Sequence, residues 1–221
     1  MTSYLGVLFC GGLGTRLGSI TEYVSKALVP VYDRPAFMYG LTQLQASQRI
    51  ADIIILSNRT NDGPLHKAGL PTLIQDDSKV QDMFSGLAFV REETDDQRPA
   101  VLMPCDNISS IRVDDAIDEF ESTGTDLTIN IRKVDDPTVL RQIGVFDPET
   151  GTMEYRPDTP SSDFGVLAPY VIRPDLDLSG GDEAVINRYE VSWCTYDGYW
   201  FDIGTPNELA AAAEFLSRHS G

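Results

Sequence analysis

Four side chains in this sequence are placed where chemistry on a phosphate could use their charge: Arg16, Lys26, Asp106 and Asp202. Arg16 closes the loop Gly11, Gly12, Leu13, Gly14, Thr15, Arg16, which follows an apolar run of strand length. Backbone N–H groups of such a loop can point at a phosphate chain. Lys26, in Ser25-Lys26-Ala27-Leu28-Val29-Pro30-Val31, is a second cation nearby in a chain that has few. The plainer reading is a tight turn whose glycines serve only backbone conformation. Two other phosphate loops are disfavoured by the letters: a dinucleotide fingerprint needs glycine where Leu17 stands, and a P-loop needs Gly-Lys before Ser or Thr. Asp106 ends an apolar strand, at the end where α/β proteins bind ligands. Asp202 lies between an aromatic strand and Gly204-Thr205. Read alone, the two carboxylates fit turn and helix caps equally well.

The elements that would position these residues alternate along the first half. Residues 4–10 read as a buried strand, 35–50 as a helix with Pro35 in its first turn, and 51–57 as a second buried strand. A short strand at 71–75, a helix at 79–90, a strand at 100–103, a helix at 113–122 and a strand at 126–132 continue the pattern. Beyond Asp135 the texture changes to short strands at 142–146, 153–155, 164–172 and 190–195, with a turn at 147–151. Residues 207–218 close the chain as an alanine-rich helix, with Thr205 available as N-cap and Pro206 at the first position. The predicted fold class is α/β: a Rossmann-like, mostly parallel mixed sheet flanked by helices, with a small antiparallel β portion in the C-terminal half. A single domain over residues 1–221 is expected, with the alternating half at 1–135 and the short strands and closing helix at 136–221.

Composition narrows the partners. Thirty-four acidic against 17 basic residues give a net charge of −17, a surface that repels nucleic acid and anionic membranes. It also repels a nucleoside triphosphate, so phosphate chemistry here needs a local basic site or a bound cation. No apolar run approaches the roughly 20 residues of a membrane span, and the N-terminus has no basic leader, so a cytoplasmic protein is expected. Cys10, Cys105 and Cys194 are widely separated and odd in number, which predicts buried free thiols.

Gly14-Thr15-Arg16-Leu17 followed by Lys26-Ala27-Leu28-Val29-Pro30-Val31 resembles the signature of the sugar-1-phosphate nucleotidyltransferases, Gly-Thr-Arg-Leu and then Lys-x-Leu-x-Pro-Val. Pro30-Val31-Tyr32-Asp33-Arg34-Pro35 looks most like the glucose-1-phosphate thymidylyltransferase branch. Further along, Cys105-Asp106-Asn107 resembles its Gly-Asp-Asn and Ile143-Gly144-Val145 its Tyr-Gly-Val, while Trp200-Phe201-Asp202-Ile203-Gly204-Thr205 resembles its Trp-x-Asp-x-Gly-Thr. The resemblance implies transfer of a nucleoside monophosphate from dTTP or UTP to a sugar 1-phosphate, with release of pyrophosphate and with Mg²⁺ held by Asp106 and Asp202. It makes Arg16, Lys26 and Asp106 catalytic and gives nucleotide binding to Gly11, Gly12, Gly14, Thr15, Gln75 and Ser78. Sugar-phosphate binding falls to Gly144, Tyr155, Arg156 and Tyr170. A monomer or homo-oligomer without nucleic-acid or membrane partners is implied.

The departures concern the sugar side. Tyr155-Arg156-Pro157 stands where the family has Glu-Lys-Pro; Arg156 can still grip a phosphate, but Tyr155 cannot replace a carboxylate that accepts two hydroxyl bonds. Ser78-Lys79-Val80 replaces Gly-Leu-Ala, Ala168 replaces a glycine, and the chain is shorter than the family, mostly between Tyr170 and Trp200 and after the last helix. A cytidylyl- or guanylyltransferase for an unusual phosphorylated sugar or alcohol, and a catalytically idle nucleotide-binding regulator, are the competing readings.

Overall fold

The first strand, β1 (Tyr4–Cys10), has parallel neighbours on both edges, which explains why its letters are apolar without alternation. Its side chains still divide between two cores. Leu5 and Val7 join a cluster with Phe84, Leu87 and Phe146, while Tyr4, Leu8 and Cys10 join one with Phe37, Leu41 and Ile117, because successive strand residues point to opposite faces. The computed structural model describes residues 2–67, 69 and 71–219.

After β1 come a 3₁₀ helix (Thr15–Glu22), β2 (Pro30–Val31), β3 (Arg34–Pro35), α1 (Phe37–Ala46), β4 (Ile50–Ser57), α2 (Asp62–His66), β5 (Thr72–Ile74) and α3 (Met83–Thr94). Then follow β6 (Ala100–Pro104), β7 (Asn107–Ser109), α4 (Val113–Thr123), β8 (Leu127–Lys133), α5 (Pro137–Leu140), β9 (Gly144–Asp147) and β10 (Thr152–Tyr155). The chain ends with β11 (Phe164–Ile172), α6 (Gly181–Arg188), β12 (Val191–Thr195), β13 (Trp200–Asp202) and α7 (Pro206–His219). One mixed nine-stranded sheet has the order β10-β9-β11-β6-β1-β4-β5, with β8 also against β11 and β12 beyond β8. Its core of β6, β1, β4 and β5 is parallel, and β11 and the β9–β10 pair supply the antiparallel part. The α/β class with helices on both faces is therefore the observed one.

Several boundaries differ from the sequence reading, each for a local reason. The helix expected over 35–50 is only Phe37–Ala46: Arg34–Pro35 pairs with Pro30–Val31 instead, and Ser47 leaves the helix in an extended conformation with its hydroxyl on Asp114. The helix expected over 79–90 begins at Met83, because Asp82 and Ser85 form a reciprocal capping box, and it runs on to Thr94. The 3₁₀ helix Thr15–Glu22 and helices α2, α5 and α6 carry too little periodicity to be read. Strand β12, placed by its letters in the antiparallel portion, pairs with β8 in parallel.

At the far end, Thr205 and Glu208 form the expected cap of α7, with Glu208 Oε2 accepting from the Thr205 N–H at 2.7 Å and Thr205 Oγ1 from the Glu208 N–H at 3.3 Å. A third apolar cluster, Val31, Ala36, Ile108, Ile203, Ala212 and Leu216, holds α7 against the β7–β13 pair. The three cysteines are free thiols; Cys10 and Cys105 are buried and Cys194 is only half-buried. Among the described residues no helix is long and apolar enough to cross a membrane.

Candidate active site

Strands β1, β4 and β6 end on one rim, and the four charged residues gather there. Antiparallel pairing of β7 with β13 puts Asp202 opposite Asn107, and the Ile203 N–H donates to the Asp106 carbonyl at 3.0 Å. This brings the two carboxylates, distant in sequence, to one place. Asn107 is itself held: its side-chain N–H donates to Asp106 Oδ1 at 3.1 Å, and its side-chain Oδ1 accepts from the Trp200 indole at 3.0 Å. Lys26, buried at 8% exposure, forms an ion pair with Asp106 Oδ2. Arg16 Nη2 lies 3.6 Å from Asp202 Oδ2.

The titration behaviour follows from this crowding. Burial pushes the Asp202 carboxyl up to about 6, with the Asp106 charge adding to the rise and Lys26 and Arg16 opposing it. Burial also depresses Lys26, but the Asp106 charge and hydrogen bond and the Asp202 charge outweigh it, so the ammonium stays firmly protonated. Asp202 Oδ1 is buried without a hydrogen-bond partner among the described residues. Two close carboxylates repel by a few kcal/mol, roughly 3 at 5 Å and an effective dielectric near 20. A hard cation is the ligand that relieves both the repulsion and the unpartnered oxygen. Among the described residues no cluster of three or more His, Cys, Asp or Glu side chains is positioned for a metal.

The glycine loop is shaped by close approaches. A Cβ at Gly11 would sit 1.8 Å from Gln75 Oε1, so that side chain lies directly across the loop from the end of β5. Gly14 has φ 66°, and a Cβ there would come within 2.8 Å of Lys26 Cβ; glycine is what allows loop and lysine to meet. Thr15 opens the 3₁₀ helix, and Gly12 faces open space. Two buried residues that the sequence reading missed hold this loop: Asn58 donates to the Gly11 carbonyl at 3.0 Å and Asn61 to the Cys10 carbonyl at 2.7 Å. Ser78 is exposed, with its hydroxyl and N–H both on Asp76 Oδ1.

The other named residues spread along a second wall. Tyr155 is half exposed, and the Arg156 guanidinium lies 4.9 Å above its ring. Arg156 Nε donates to the Gln142 carbonyl at 3.1 Å, while Gln142 Oε1 accepts from Arg16 at 3.5 Å, so Gln142, another residue missed from sequence, links the two arginines. Tyr170 is buried and stacked on Phe84. Gly144 is set by packing: a Cβ would lie 2.2 Å from Met153 Cε across the hairpin.

A loop, a lysine and two carboxylates thus meet at the end of a parallel sheet, and the comparison with known proteins identifies the family of the chain. The sequence model of the MobA-like NTP transferase domain matches residues 6–140, more than half of the chain. The chain belongs to that family. This NTP transferase is 25% identical over 240 residues to the low-salt glycan biosynthesis nucleotidyltransferase of Haloferax volcanii, covering 96% of the chain but 65% of that protein. It is 27% identical over 249 residues to the glucose-1-phosphate thymidylyltransferase of Xanthomonas campestris, covering 98% of the chain and 81% of the relative. The namesake from Neisseria gonorrhoeae gives 28% over 244 residues, with 96% and 82% covered. Among solved structures, a Bacillus anthracis protein provisionally assigned as a glucose-1-phosphate thymidylyltransferase, in complex with sucrose, superposes with a TM-score of 0.79 at 21% identity, covering 96% of this chain and 95% of its own. That likeness establishes the fold. The chain thus spans about two thirds of the length of its Haloferax relative.

Proposed function

We propose that this protein transfers a nucleoside monophosphate from dTTP or UTP to a sugar 1-phosphate and releases pyrophosphate. The observation that carries the reading is the convergence of Arg16, Lys26, Asp106 and Asp202 at the carboxyl end of the parallel strands. Within a single domain, residues 1–135 bind the nucleotide and 136–221 the sugar phosphate. The sugar-phosphate oxygen attacks the α-phosphorus in line, a reaction that depends on positioning and charge neutralisation more than on covalent work by the protein.

Lys26, kept cationic by Asp106, bridges the α-phosphate and the incoming phosphate, drawing two anions together. Arg16, exposed enough to reach a ligand, holds the β and γ phosphates and stabilises the pyrophosphate as it leaves. Gly11, Gly12, Gly14 and Thr15 offer backbone donors to the phosphate chain, and Gln75, lying across Gly11, meets the pyrimidine edge with Ser78 beside it. Arg156 takes the sugar phosphate in a bidentate fork, with Tyr155, Gly144 and Tyr170 lining the sugar side. Asp106 and Asp202 would hold Mg²⁺, for which their hard oxygens and the unpartnered Asp202 Oδ1 are suited. When bound, the cation neutralises phosphate charge at the reacting centre. The protein works in the cytoplasm.

The test is a panel of nucleoside triphosphates crossed with sugar 1-phosphates, scored for pyrophosphate release with Mg²⁺. Turnover confined to dTTP and UTP is the expected result. Turnover only with CTP or GTP overturns the base assignment, and none with any pair overturns the activity.

A further inference from the structure

A cavity of about 490 Å³ opens beside Tyr155, lined by Gln81, Asp82, Tyr155, Asp182, Glu183 and Asn187 among others. Its carboxylates are drawn together by backbone geometry. Gly180 and Gly181 have φ 102° and 82°, conformations that side-chain-bearing residues rarely adopt, and this turn delivers Asp182 to the start of α6 beside Asp82. A Cβ at Gly181 would lie 3.5 Å from Asp82 Oδ2. Asp82 Oδ1 is occupied in capping α3, which leaves Oδ2 as the oxygen on this side.

Asp182 in the lining and Tyr170 behind it each carry a polar group with no partner among the described residues. Asp182 Oδ1 is buried without a hydrogen bond. Tyr170 is only 5% exposed, and its hydroxyl is influenced by Asp182 and Tyr155 with no hydrogen bond among the described residues. Among the described residues no lysine or arginine lines the cavity; Arg156, whose guanidinium lies over the Tyr155 ring, is the cation that bears on Asp182. Burial, and then the Asp82 charge, push the Asp182 carboxyl up to about 7. A hydroxyl could bond one of these carboxylates but would leave the repulsion between them. An ammonium offers three donors and a charge that favours both in ionised form.

We infer that the cavity between Asp82 and Asp182 receives a protonated amine on the sugar phosphate, making an amino-sugar 1-phosphate the preferred acceptor. The inference rests on the sugar-phosphate reading of the site, and it names the substituent that the Glu-to-Tyr change at Tyr155 leaves unspecified. Asp182 and Asp82 are specificity residues on this account, with Tyr170 donating its hydroxyl to the same group or to Asp182.

The experiment compares glucose 1-phosphate with its 2-, 3-, 4- and 6-amino analogues, and each amine with its N-acetyl form, for kcat/KM of pyrophosphate release. At least one amine should exceed glucose 1-phosphate by tenfold or more, and N-acetylation should abolish the gain. Asp182→Asn should bring the amine-to-hydroxyl ratio to within about twofold while the melting temperature shows the variant folded. If glucose 1-phosphate turns over and no amine does better, this inference falls while the nucleotidyltransferase reading stands. If no sugar phosphate turns over, the activity reading falls, and calorimetric titration of the same compounds decides the cavity: tenfold tighter binding of an amine, lost in Asp182→Asn, sustains it, and equal binding ends it.

Discussion

Gly204→Ala separates the positioning of Arg16 from the stability of the fold. A Cβ at Gly204 would lie 2.5 Å from Arg16 Nη2 and 2.7 Å from Cζ. Ordinary contact begins near 3.4 Å, so the guanidinium must shift by roughly 1 Å from its place 3.6 Å from Asp202 Oδ2. The obstructing atoms are the free end of a flexible, half-exposed side chain, so the fold loses little: below about 1 kcal/mol, or a few degrees in melting temperature. A displacement of about 1 Å in a group that positions phosphates costs on the order of a hundredfold in turnover. Steady-state pyrophosphate release and a thermal melt on the same preparation make the assay, with Arg16→Ala as the reference for complete loss of the side chain. Gly204→Ala should approach the Arg16→Ala rate at nearly native melting temperature. Full activity in Gly204→Ala would refute the placement of Arg16, and a collapsed melting temperature with unimpaired turnover per folded molecule would show that the glycine serves the backbone alone.

Asp106→Asn or Asp202→Asn should lower Mg²⁺-dependent turnover by at least about a hundredfold, since each removes a charged oxygen from a two-carboxylate site; unchanged turnover in either variant contradicts the assignment. Asp182 predicts a pH-dependent stability: its carboxyl is raised from 3.8 to about 7, so the folded state binds the proton more tightly and the wild type loses stability as pH rises from about 4 to 7. Asp182→Asn removes that loss, and urea denaturation should find its advantage growing by up to about 4 kcal/mol between pH 4 and pH 8; a pH-independent difference would show that the group is not raised. Gly86→Ala should destabilise by about 1 to 3 kcal/mol without altering the site, because a Cβ there would meet Phe9 Cε1 at 2.5 Å inside the core between α3 and β1; a neutral denaturant midpoint would mean that Phe9 moves aside freely.

The letters themselves determined the elements whose physics is local. β1 and β4 are apolar because both are buried, α7 begins where Thr205 and Pro206 put it, and the loop after β1 had to be glycine-rich to carry Gly14 at positive φ beside Lys26. Arg16, Lys26, Asp106 and Asp202 were legible because their neighbours in sequence form recognisable strings. Short elements were not: the 3₁₀ helix after the loop, α2 and α6 span too few residues for a period to emerge, and the start of α3 depended on Asp82 choosing Ser85 as its partner. Only the tertiary structure decided that Asp202 faces Asp106, through the β7–β13 pairing, and that Gln142 joins Arg16 to Arg156. Only it brought Asp182 to Asp82, across a turn of two glycines and a cavity wall. Contacts between residues far apart in the chain leave no periodic trace in it, because each is set by the packing of the elements between them and by the strand pairings that this packing permits.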